Sequence, residues 1–291
     1  MNEKLYIGVD VGASNIRIGL GDENELYSDT NKIVPTEQYW SEEGLVDLIV
    51  ELLEENEVSQ DSIEAIGIGV PGLINVEEKK IEYAHALDEL SFSKLSELGI
   101  DFSIENDANA AVMGEKLYGE GKELENIVTV ILGSGIGGGV YYSGNLLGSE
   151  KDGRSPEPAG INVDNDTTWD QSVGGENMPG YMKSILNEET IPEDATAEEI
   201  FRKARENSIS QQHIDTLTEL NARGISTLID LYAPELITFS GSVATNNLEF
   251  MQNSFEKAAE LSVNPEPEMK ISELGNKLGL YGALAVAQRK E

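Results

Sequence analysis

Cysteine is absent from the 291 residues. That one absence removes disulfide scaffolds, thiolate catalysis and cysteine-built zinc sites together. Long apolar stretches are missing too: nowhere do eighteen uncharged apolar residues run together, and Met1 to Val9 lacks a basic segment ahead of a long apolar run. Neither a membrane span nor a secretory leader is expected, so the protein reads as cytoplasmic and soluble. Cations are scarce, with 20 Lys and Arg against 54 Asp and Glu and a formal net charge of -34 at pH 7. Such a surface repels nucleic-acid phosphates and anionic lipid, which argues against nucleic acid or membrane as the main partner. The carboxylates are dispersed over polar helix faces, as at Glu51, Glu54 and Glu55, instead of being gathered in an acidic tail. Dispersal of this kind reads as adaptation to high salt, where the Debye length falls to about 3 Å and self-repulsion is hidden. Poor stability in dilute buffer is the expected cost.

What is present suggests an α/β protein. The length allows one large core or two moderate ones around a cleft, and two lobes are expected. Leu5 to Val9 and Ile16 to Leu20 are apolar runs separated by Gly12 to Asn15, a strand-turn-strand pattern with a small, polar tip. Ser41 opens an amphipathic helix with apolar residues at Leu45, Leu48, Ile49, Leu52 and Leu53. Ile66 to Val70 is a buried strand stopped by Pro71-Gly72. Asp101 to Ile104 is another strand, and Ala108 to Leu117 a helix, so Asp107 lies where a strand hands over to a helix N-terminus. Ile127 to Leu132 repeats the first design: a β-branched run, a turn over Gly133 to Gly139, and a return from Val140 to Tyr142. Leu236 to Ser240 is one more strand, closed by Gly241, and Leu278 to Gln288 a helix whose Gly279, Gly282 and Ala283 leave room for a neighbouring backbone.

Tight turns that expose backbone N–H groups form cradles for phosphate oxygens, and small residues let the backbone approach. Asp10-Val11-Gly12-Ala13-Ser14 can be such a cradle or an ordinary hairpin. Five glycines among the seven residues of Gly133 to Gly139 cost more backbone entropy than a plain turn requires, which favours function there.

In order and spacing these segments resemble the ROK family (repressor, open reading frame, kinase) of sugar kinases, over nearly the whole chain. Asp10 to Ser14 is similar to the family's first phosphate motif, Gly67 to Leu73 to its Gly-x-Gly-x-Pro-Gly strand end, and Glu105 to Ala111 to its catalytic motif. Leu132 to Gly139 is similar to the second phosphate motif, Phe239 to Val243 to the adenosine motif, and Gly279 to Ala285 to the closing helix. The resemblance implies an α/β, two-lobed actin-like ATPase fold (hexokinase/ribonuclease H-like) with mixed sheets flanked by helices. It implies a smaller lobe of residues 1–108 joined by 278–291, a larger lobe of residues 109–277, ATP with Mg²⁺, a sugar substrate and a homodimer.

Residue by residue, the resemblance makes Asp107 the general base, with a helix N-cap as the other reading of that position. Asn106 would hydrogen-bond sugar hydroxyls, unless it is a turn-forming asparagine, and Gly72 would border the sugar. Asp10 would hold hydrated Mg²⁺. Gly12, Ala13, Ser14, Gly133, Ser134 and Gly135 would line the phosphates, and Gly241 and Ser242 the nucleotide. Departures gather on the sugar side. The family's Glu-x-Gly-His segment is Glu157-Pro158-Ala159-Gly160 here, its zinc loop of cysteines is missing, so no zinc is expected, and Asp170 stands in for a second glutamate, one methylene shorter. Glu157 and Asp170 can also be ordinary acidic surface residues. Ala86 replaces an asparagine, with His85 before it as a replacement partner or a structural residue. Two functions compete: phosphorylation of a hexose such as glucose or a related N-acetylhexosamine, and a weakly active or noncatalytic relative that senses nucleotide or sugar.

Overall fold

The computed structural model describes residues 4–84, 87, 90–148, 153–185, 191, 192, 194–206 and 208–289. Its contacts form two compact units, one of Met1–Glu123, Leu146–Ser155 and Glu273–Glu291, the other of Leu124–Asn145 and Pro156–Ser272.

In the first unit the expected hairpin is β1 (Leu5–Val11) and β2 (Asn15–Gly21), followed by β3 (Lys32–Pro35), α1 (Thr36–Tyr39) and α2 (Glu42–Glu55). Ser41 caps α2 by accepting from the Gly44 N–H at 2.9 Å, and the helix buries Leu45, Leu48, Ile49, Leu52 and Leu53, its predicted stripe. Next come β4 (Ile63–Val70), β5 (Leu73–Asn75), β6 (Lys80–Tyr83), β7 (Asp101–Asn106) and α3 (Asp107–Leu117). The sheet runs β3-β2-β1-β4-β7, antiparallel across β3, β2 and β1 and parallel across β1, β4 and β7.

The second unit repeats that plan. β8 (Ile127–Leu132), β9 (Ile136–Tyr142) and β10 (Asn145–Leu146) precede β11 (Asn162–Asp164), β12 (Thr167–Thr168), α4 (Trp169–Val173), α5 (Met178–Ile185), α6 (Ala197–Arg205) and α7 (Gln211–Tyr232). β13 (Leu236–Ser240), α8 (Ser242–Asn246), α9 (Leu248–Leu261) and β14 (Glu268–Ile271) complete it. The sheet order is β10-β9-β8-β13-β14, with β8 antiparallel to β9 and parallel to β13, and β13 parallel to β14. Trp169 is fully buried in this core, and its Nε1 donates to Asn221 Oδ1 at 2.9 Å, so the large ring buries no unmet donor.

The chain ends in α10 (Leu278–Ala287), which returns to the first unit and packs on α3, β1 and β4. A Cβ at Gly67 of β4 would run into the Ala283 carbonyl, and one at Gly282 into that of Ala110. Backbone therefore meets backbone on both sides of α10. α3, expected to begin the larger lobe, belongs to the first unit because its small residues Ala110, Ala111 and Gly114 receive α10.

One expectation is corrected in detail. The glycine run at 133–139 is not all turn: only Gly133 to Gly135 reverse the chain, and Gly137 to Gly139 lie within β9. Gly138 is small because Pro158 packs over it, with its Cγ 2.6 Å from where a Cβ would stand.

Candidate active site

At the junction of β7 and α3 the chain reads Glu105-Asn106-Asp107. Asn106, not Asp107, is the N-cap: its Oδ1 accepts from the N–H groups of Ala108 (3.0 Å) and Asn109 (3.1 Å), while its Nδ2 donates to the Gly72 carbonyl at 2.9 Å. Asp107 is the first helical residue, partly exposed, with Oδ1 accepting from the Ala108 N–H at 2.9 Å. A carboxylate there interacts favourably with the positive end of the helix. Gly72 has φ +120, and a Cβ on it would overlap the Tyr83 carbonyl, so the Pro71-Gly72 turn needs glycine. Beneath lies Glu105, 4% exposed, whose Oε1 accepts from the Asn106 N–H (2.9 Å) and Asn109 Nδ2 (3.1 Å) and whose Oε2 accepts from Arg289 at 2.9 Å. These bonds satisfy a carboxylate that would be costly if unpaired. A cavity of about 340 Å³ opens against Glu105, Asn106, Asn109, Arg154 and Arg289; Asp107 is not among the described residues lining it.

The first glycine turn lies in the same unit. The Gly12 N–H donates to the Asn15 carbonyl at 2.9 Å, and Ala13 and Ser14 are exposed at the tip. Buried Thr36 braces it, donating its hydroxyl to the Gly12 carbonyl (2.7 Å) and its N–H to the Ser14 carbonyl (3.0 Å). Asp10, at the end of β1, accepts from Arg17 at 3.2 Å. Burial pushes its carboxyl above the usual range, against the pull of Arg17. Among the described residues no three His, Cys, Asp or Glu gather as a metal cage. A lone carboxylate of this kind suits a hydrated Mg²⁺ that also binds phosphate, since Mg²⁺ keeps several waters and needs few protein ligands.

The second unit holds the other cradle, where three segments meet. The Gly175 N–H donates to the Gly133 carbonyl (3.0 Å) and the Glu176 N–H to the Ser134 carbonyl (2.7 Å). Gly241, at φ +91, comes so close that a Cβ at Gly133 would stand 3.8 Å from its Cα and 3.9 Å from the Ser242 nitrogen. Ser242 opens α8 beside a cavity of about 180 Å³ bordered by Glu198, Arg205, Val243, Asn246 and Asn247. Asp170 sits beneath the turn: its Oδ1 accepts from the Ile136 N–H and its Oδ2 from Asn177 Nδ2, each at 2.8 Å. Glu157 presents part of its surface to water, yet desolvation raises its carboxyl, and it has no hydrogen-bond partner among the described residues. A Cβ at Gly160 would meet nothing within 4 Å. His85 and Ala86 lie outside the described residues.

Thus Asp107, Asn106 and Gly72 come together in one unit, as do Gly133, Ser134, Gly135, Gly241 and Ser242 in the other. Sequence reasoning missed the supports Thr36, Glu105, Arg289, Arg205 and Asn177. Only Glu105 carried a local signal, as neighbour of the Asn-Asp pair.

Two mixed five-stranded sheets of one topology, each with a glycine turn between its first two strands, define an α/β fold of the actin-like ATPase class. Residues 6–290 match the ROK family, and the chain belongs to that family. A glucokinase of Streptomyces coelicolor is 28% identical over 99% of this chain and 98% of its own. A ROK hexokinase from Thermus thermophilus superposes with a TM-score of 0.82 at 23% identity, covering 98% of each chain. A ROK glucokinase from Streptomyces griseus, solved with glucose and AMPPNP, gives a TM-score of 0.75 at 26% identity over 98% of this chain and 100% of that one. No described helix is long and apolar enough to cross a membrane.

Proposed function

We propose that the protein is an ATP-dependent sugar kinase acting on a hydroxyl of a hexose such as glucose, or of a related N-acetylhexosamine. The observation that carries this reading is the β7–α3 junction, where Asn106 caps the helix and Asp107 presents its carboxylate at the helix N-terminus. In this reading Asp107 accepts the proton of the acceptor hydroxyl as that oxygen bonds to the γ-phosphorus and the bond to the β-phosphate oxygen breaks, releasing ADP. Asn106, Gly72 and Glu157 serve the sugar. The backbone of Gly12 to Ser14 and of Gly133 to Gly135 receives phosphate oxygens, and Gly241 and Ser242 border the nucleotide, whose base suits the cavity beside α8. Asp10 would hold Mg²⁺ through water, and the ion would neutralise charge on the transferring phosphate.

The likeness to glucokinases supports the substrate class, and the absence of cysteine supports a site without structural zinc. A cytoplasmic homodimer adapted to high salt belongs to the same reading, resting on the family resemblance and on the acidic composition.

The test is a coupled ADP-release assay over hexoses and N-acetylhexosamines in molar KCl, with Asp107→Asn as control. The variant is expected to keep its fold and lose about 10²-fold or more in kcat. Undiminished turnover in the variant refutes the assigned base, and no turnover of any sugar by the parent protein turns the reading toward a sensor.

A further inference from the structure

We propose that Asp170 works on the phosphate side of the site: its carboxylate latches the Gly133–Gly135 turn to the Gly174–Asn177 loop and sets the geometry of that cradle, in place of contacting the sugar. The functional part of this inference rests on the kinase reading above.

Three observations carry it. First, each carboxylate oxygen already has a partner in this region. Oδ1 takes the N–H of Ile136, the residue at which the turn hands over to β9, and Oδ2 takes the side-chain amide of Asn177, each at 2.8 Å. Two short bonds to one carboxyl group thus tie the end of the turn to the loop. Second, the fit is close. A Cβ at Gly135 would stand 3.1 Å from Oδ1, and one at Gly174 would stand 3.1 Å from the carboxyl carbon, so glycine on both sides makes room for this carboxylate. Third, the loop that Asp170 ties down holds the turn in its own right. Gly175 donates to the Gly133 carbonyl and Glu176 to the Ser134 carbonyl. With those carbonyls engaged by the loop, the N–H groups of Ser134 and Gly135 have no partner among the described residues and are left for an anion.

The anchor of the latch is itself rigid. Asp170 lies in the first turn of α4, whose Thr168 and Gln171 form a reciprocal capping box, and the preceding Trp169 is fully buried. The carboxylate is therefore delivered from a fixed helix end, as a positioning residue must be.

The experiment compares Asp170→Ala and Asp170→Asn with the parent enzyme in high salt, measuring KM for ATP, KM for the sugar, and amide hydrogen exchange of the segment 132–139. The alanine variant is expected to raise KM for ATP about tenfold or more and to leave the sugar KM within about twofold, as loss of a charge-assisted bond on the nucleotide side requires. Exchange of the two hydrogen-bonded amides of the turn, Gly133 and Ile136, should quicken by about the same factor. Asparagine keeps an acceptor for the Ile136 N–H and should restore most of both. If the alanine variant does not fold, Asn177→Ala, which removes one bond only, should move ATP KM and exchange in the same direction by less. A raised sugar KM with unchanged ATP KM overturns the proposal. Exchange reads the latch without turnover, so a parent protein that phosphorylates nothing would sink the kinase reading alone, whereas unchanged exchange in the alanine variant would sink the latch.

Discussion

Asp10 shows how one residue can be held against its own solvation. Its side chain is 14% exposed, and burial raises its carboxyl above the ordinary value even with Arg17 at 3.2 Å. A carboxyl whose pKa is higher folded than unfolded adds stability only where it is protonated. That contribution is full below the ordinary Asp value and is lost as pH rises through the raised one. Asp10→Asn should therefore raise the melting temperature at neutral pH, by about 1–3 °C, with the gain fading as pH falls through the raised value and gone below the ordinary one. Thermal melts across pH check this, and a gain that grows on acidification contradicts it. If Asp10 holds Mg²⁺ as proposed, the same variant should also lose turnover, a trade of stability for function. At this scale the sequence was legible to within one residue. It placed Asn106 and Asp107 at a helix start, but either type can cap, and the choice depended on the Gly72 carbonyl waiting for the Asn106 amide. Thr36, which braces the first turn from 24 positions away, left no local trace.

Among the elements, α10 shows that a glycine's value depends on what faces it. In an exposed helix, alanine is favoured over glycine by about 0.5–1 kcal/mol. Gly180 in α5 meets that condition, since a Cβ there would meet nothing within 4 Å, and Gly180→Ala should stabilise by that amount. Gly282 in α10 faces the backbone of Ala110 and Ala111, and there the same change should destabilise by about 1–3 kcal/mol, the cost of overpacking a fitted interface. Opposite signs in chemical denaturation check the pair, and a neutral Gly282→Ala would refute the close approach of α3 and α10. Small residues at Gly279, Gly282 and Ala283 made such a helix legible in advance, although its partner was not. The Gly133–Gly139 run misled by three residues because glycine signals both a turn and a surface packed by Pro158, and composition does not separate the two.

For the whole molecule, legibility follows sequence distance. The repeated strand-turn-strand design was visible because each copy is local. The Glu105–Arg289 pair, 184 positions apart, and the tie between Asp170 and Ile136, 34 apart, arise only once the chain has folded. Net charge acts at this scale as well. With 54 acidic against 20 basic residues, most surface carboxylates have no cation of their own, and pairs such as Lys32 with Glu55 offset little, since exposed pairs contribute about 0–1 kcal/mol each. What remains is mutual repulsion, which salt screens over about 10 Å at 0.1 M and about 3 Å at 1 M. The melting temperature should therefore climb by several degrees from dilute buffer to molar KCl, with most of the rise coming while the screening length is contracting and a plateau beyond. The curve's shape is what decides: general exclusion of salt from the surface would give a steady linear rise, and a flat profile would show that the charge excess carries no stability cost in this fold.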